Sequence, residues 1–137
     1  MAGGGKHVFV QDVRRFFWLP RGTPRRPAPP RPLLETWLFG LAFGAVAAAL
    51  GWEEGPIMMT VIAELELLRT VAQGVRLRWP AFLAALAVGW AVNRLGYALL
   101  PAATDSPWGA FCVYAVWILA ALTTFGAVTR LPRRPHR

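Results

Sequence analysis

Pro56–Leu77, PIMMTVIAELELLRTVAQGVRL, is the stretch on which the fold turns. It is one of four lipid-length segments, and it carries Glu64, Glu66 and Arg69 near its middle, where the others carry only Asn93 and Arg94. Charge at membrane depth is expensive and is kept for a partner or for a job. Each charged residue at a helix centre costs about 2.5–3.5 kcal/mol to insert, while each Leu, Ile or Val returns only about 0.3–0.6 kcal/mol. Taken alone, the segment inserts poorly, and lying in the interface is the rival arrangement.

The neighbouring segments decide between the two. Residues 33–52, 79–100 and 108–129 are long apolar blocks with charges at their ends, without the regular charged face of a soluble bundle. If 56–77 also crosses, thirteen of the fifteen basic residues share one side: seven in the N-terminal tail, Arg76 and Arg78, and four at the C-terminus. The opposite loops then hold Glu53, Glu54 and Asp105 and no basic residue. With three crossings the C-terminal arginines would lie outside. The positive-inside rule selects four spans with both termini cytoplasmic.

Composition agrees. A chain of 137 residues has room for one domain, and 55% apolar content is too high for a soluble domain of that size. The net charge of +8 rests on fourteen Arg and a single Lys. With abundant Ala, Gly and Pro this suggests a GC-rich bacterial coding sequence, hence the inner (plasma) membrane. The basic residues lie in tails and loops beside apolar spans, so anionic lipid headgroups are expected as partners rather than nucleic acid. The first 32 residues lack the apolar core of a cleavable signal peptide.

Cys112 is the one cysteine, so no internal disulfide is possible, and His7 and His136 lie in opposite tails. Neither a metal-ligand cluster nor a nucleophile or phosphate-loop motif is present, so no enzyme, cofactor or metal is expected.

The organisation expected is therefore all-α, in three parts. Residues 1–32 form a basic, Pro/Arg-rich cytoplasmic arm, with an amphipathic helix at 8–19 lying on the headgroup surface and a stiff spacer after it. Residues 33–130 form a four-helix membrane domain, and 131–137 a basic tail. Gly40 and Gly44 make a GxxxG in the first span, and Ala85, Gly89, Asn93 and Gly96 a small or polar stripe in the third. Such faces let another helix approach closely.

On a helical wheel Glu66, Arg69, Thr70, Gln73 and Arg76 share one stripe, and Glu66 can pair with Arg69 three residues on. Glu64 lies apart, among Ile57, Val61, Leu65 and Leu68. At about 1.5 Å per residue its depth matches that of Arg94 on the antiparallel neighbour to within a few ångströms. One reading is an ion-pair network of Glu64, Glu66, Arg69 and Arg94, with Asn93 assisting, that holds the helix register. The other is a proton or cation site at Glu64 or Glu66, since desolvation favours a neutral carboxyl and a close arginine favours the charged one. The two differ in whether Arg94 reaches the acid.

Ala63-Glu64, Gly74 and Arg78-Trp79-Pro80 together resemble the first helix and next turn of the small multidrug resistance transporters. The resemblance implies a membrane glutamate that binds protons and cationic substrates in turn, within a four-helix dimer. It covers fewer than twenty residues. In that family the glutamate belongs on the first helix, whereas here a span precedes it and Glu66 and Arg69 are added. The role expected first is an accessory or assembly subunit of a larger membrane complex, or a small homo-oligomer. The alternative is a proton- or cation-coupled transporter using Glu64.

Overall fold

The computed structural model describes residues 4–132, with side chains from residue 8 onward. Most of the 131–137 tail lies outside the described residues. The described residues form five α-helices joined by short segments: α1 (Gly4–Phe17), α2 (Pro30–Ala49), α3 (Gly55–Ala72), α4 (Arg78–Leu99) and α5 (Pro107–Thr129). Among the described residues there is no strand. Three helices, α2, α4 and α5, are long and apolar enough to cross a membrane, as in a multi-pass membrane protein. α3 is 18 residues long and keeps Glu64, Glu66 and Arg69, which leaves it outside that group.

Local chemistry explains the boundaries. α2 starts three residues before the expected 33, at Pro30, because the first turn needs no N–H donor and proline's fixed φ suits it. It ends before Gly51, whose φ of +67° only glycine adopts freely. α3 stops at Ala72, five residues short of the expected 77, because Gly74 at φ +82° turns the chain back. Leu77, at φ 51°, is the one described non-glycine in the left-handed region, and it directs the chain into α4. The Ser106 hydroxyl accepts from the backbone N–H groups of Trp108 (3.2 Å) and Gly109 (3.4 Å), capping α5.

α5 is the hub, packed against α2, α3 and α4, and α2 and α3 form a hairpin beside it. α3 contributes Met59, Ala63, Leu67 and Val71 to the core, all at most 6% exposed. They meet Ile118, Leu122 and Phe125 of α5 within one apolar cluster. α4 touches α5 extensively but α3 only sparingly, and α2 not at all. Its most apolar stretch is 11% buried, against 33% for α5. One side of α4 is therefore uncovered along its length.

The Pro-rich segment is no free spacer. It is laid across the end of the bundle where α3 and α5 finish. Ala28 is 1% exposed, its N–H donates to Thr129 Oγ1 at 3.1 Å, and its carbonyl accepts from Arg130 Nη2 at 2.9 Å. The Arg76 N–H donates to the Arg26 carbonyl at 3.0 Å. These bonds tie the α3–α4 turn and the α5 terminus to one strap, and α1 is carried at its far end.

Candidate functional site

Two residues of the α3 polar stripe, Glu66 and Arg69, face a groove beside α2. The groove is lined by Glu35, Thr36, Phe39, Ile62, Glu66 and Arg69, and encloses about 430 Å³. Glu66 and Arg69 approach to 3.6 Å, with the Glu66 side chain 16% exposed and that of Arg69 70%. An exposed pair of this geometry is worth less than about 1 kcal/mol in water. Thr70 is buried and returns its hydroxyl to the Glu66 carbonyl at 2.8 Å, while Gln73 is exposed. Glu35 lines the same groove and pairs with Arg31 at 2.7 Å.

Glu64 sits on the opposite edge of α3, half-buried, where α3 and α4 diverge. It lines a small cavity of about 20 Å³ with Thr60, Ala85, Leu86, Trp117 and Ile118. That space holds about one water. The Thr60 hydroxyl is already committed to the Ile57 carbonyl at 2.7 Å. Trp117 Nε1 is buried without an acceptor, the one such side-chain atom among the described residues. That nitrogen lies against Gly89 of α4, which is not among the cavity's lining residues.

Arg94 does not close on Glu64. Among the described residues neither takes part in an ion pair, and Arg94 is exposed on the uncovered side of α4. The reason is the weak α3–α4 contact: Glu64 lies at the gap between the helices, and Arg94 lies beyond it on a face that no other helix covers. Asn93 is half-buried and has no hydrogen bond to a described residue beyond its own helix. Of the four residues in the expected network, only Glu66 and Arg69 come together.

The glycines divide as well. A Cβ on Gly44 would enter the space of Met59 and Phe111, and one on Gly89 or Gly96 would meet Trp117 or Val113. These three serve close packing inside this chain. A Cβ on Gly40 meets nothing within 4 Å. Of the α4 stripe, Ala85 joins the core and Gly89 and Gly96 pack against α5.

One residue escaped the sequence reading. Arg78, read there as a loop charge and as part of the Arg78-Trp79-Pro80 resemblance but given no structural role, is 8% exposed. Its Nη2 donates to the Phe17 carbonyl (2.7 Å), and its Nη1 to the carbonyls of Arg15 (3.3 Å) and Val71 (3.5 Å). These are the last carbonyls of α1 and α3, where helix dipoles present partial negative charge. The signal available was the aromatic run Phe16-Phe17-Trp18 in the arm, which seeks a partner such as Trp79: Phe16 and Phe17 lie 5.2 and 5.6 Å from its ring.

No group of three His, Cys, Asp or Glu capable of holding a metal occurs among the described residues. The chain matches no protein-family model, no curated protein and no solved structure.

Proposed function

We propose that this protein is a four-span subunit that assembles with another membrane protein, or with further copies of itself, through the uncovered side of α4, both termini lying in the cytoplasm. Arg94 carries the reading. A cation at membrane depth normally faces a bundle interior, a water-filled cavity or an opposite charge, yet Arg94 is exposed beside Trp90 and Leu95, at 67% and 58% exposure. A partner helix with a carboxylate or a set of carbonyls at that depth would satisfy it. Gly44, Gly89 and Gly96 are used internally and do not argue for a partner; the charge on the bare face does.

Four crossings are supported by how α3 is held. Its 18 residues span about 27 Å at 1.5 Å each, near the thickness of the hydrocarbon layer, and its core residues are buried against α5. A helix resting on the surface would not share a core with two apolar spans. The distribution of arginines supplies the orientation.

Purification in mild detergent with mass spectrometry tests the assembly role. A membrane protein, or a defined oligomer, should accompany the wild type and be lost from Arg94→Gln. Recovery of wild type as a lone monomer would sink the proposal.

A second reading has its own observation. Glu64 has no cation within ion-pair distance among the described residues and borders a small, largely apolar cavity. This favours a proton or cation role over a purely architectural one. The cavity is too small for an organic solute, so the species would be a proton or a small cation. Glu64→Gln in liposomes should abolish proton-linked flux with the fold intact; unchanged flux dismisses it.

A further inference from the structure

Where the strap leaves α1, a cleft of about 300 Å³ opens between the end of that helix and the start of α4. Ligand sites begin at about this size. Phe17, Trp18, Arg25, Arg78 and Trp79 are among its walls, and no carboxylate lines it. Two guanidinium groups thus share one recess with no carboxylate, and Arg78 meets only the partial negative charge of helix-end carbonyls.

Arg78 is held in place. Three of its N–H groups are taken by helix-end carbonyls, which fixes the guanidinium while leaving Nε–H and one Nη2–H without a bond to any described residue. Arg25 is exposed and makes no hydrogen bond or ion pair through its side chain to a described residue. α4 begins at Arg78 with no side-chain cap, so its first backbone N–H groups and the positive end of its dipole add to the field. Trp18, 73% exposed, and Trp79, stacked on Phe17 with 15° between the rings, supply the amphipathic surfaces that settle at headgroup level.

We propose that this cleft binds a phosphate group, delivered at the membrane surface by an anionic phospholipid, with Arg25 and Arg78 as its charged partners. A guanidinium fork matches phosphate oxygens two at a time. The cleft lies at the end of the bundle where the arginines of the arm, the α3–α4 turn and the α5 terminus gather, which is the headgroup level of a membrane-spanning bundle. The site rests on the membrane reading and is independent of any partner protein.

The test follows the unfolding midpoint of the full chain in neutral detergent. Phosphatidylglycerol is titrated in, with phosphatidylcholine as control and inorganic phosphate as a separate arm. Phosphatidylglycerol should raise the midpoint and phosphatidylcholine should not. Arg25→Gln should need about tenfold more lipid for the same shift, the size expected for one charge-assisted contact. Arg14→Gln with Arg15→Gln, exposed on α1, should stay within about twofold of wild type by the same reasoning, since neither side chain lines the cleft. A response to inorganic phosphate without one to the lipid overturns the lipid source. Arg25→Gln behaving as wild type, or the α1 double variant losing as much, overturns the site itself.

Discussion

Arg78 Nη2 donates to the Phe17 carbonyl at 2.7 Å, joining residues 61 positions apart. With it, the start of α4 holds the end of α1, and the aromatic contacts around Trp79 follow from that bond. Arg78→Gln should lose charge-assisted hydrogen bonds worth about 1.5–3 kcal/mol each, less whatever Gln regains. Trypsin should then cut at Arg14 and Arg15 markedly faster than in wild type. Arg78→Lys should restore little, because an ammonium cannot serve two helix ends as the guanidinium plane does. Unchanged cleavage in both variants would mean that the aromatic contacts alone hold α1.

The strap depends on Thr129, which is fully buried. Its hydroxyl accepts from the Ala28 N–H at 3.1 Å and donates to the Gly126 carbonyl at 2.8 Å. Thr129→Val keeps the shape and orphans a buried N–H, so it should cost about 1–3 kcal/mol, read as a lower unfolding midpoint in detergent. Thr123→Val, at an exposed position of the same helix, is the matched control and should change stability by less than about 0.5 kcal/mol.

Gly44 and Gly40 belong to one GxxxG but should respond oppositely to alanine. Gly44→Ala pushes into Met59 and Phe111 and should destabilise by about 1–3 kcal/mol, softened if the Met59 side chain moves. Gly40→Ala meets open space and should gain up to about 1 kcal/mol from helix propensity. Equal effects at the two positions, measured by thermal unfolding, would contradict the packing described here.

Two tryptophans make a second matched pair. Trp37 Nε1 donates to the Ala115 carbonyl at 3.3 Å, linking α2 to α5, whereas Trp117 Nε1 is buried with no partner. Trp37→Phe should lose about 1 kcal/mol more than Trp117→Phe, since the latter removes an unsatisfied donor. If Trp117→Phe proves the costlier, a water is reaching that N–H.

Much of this was legible from residues alone. Hydropathy blocks and terminal charges located the helices because burying an apolar run in lipid does not depend on what it packs against. The Glu66–Arg69 pair was readable because three residues along a helix is a local distance. Leu77 and Gly74 escaped, because a reversal through left-handed backbone leaves little trace in hydropathy. So did Arg78, whose partners are backbone carbonyls from two other helices.

Glu64 and Arg94 mark the boundary. Sequence by itself determined that each sits within a helix, at nearly matching heights on antiparallel neighbours, since helical rise is constant. Whether they meet depended on how closely α4 packs on α3, and that contact is sparse beside the one α4 makes with α5. Depth along a helix is a property of the chain; separation between helices is a property of the packing. Only the tertiary structure could leave Arg94 on a bare face and Glu64 beside a cavity, and lay a proline strap over the end of the bundle.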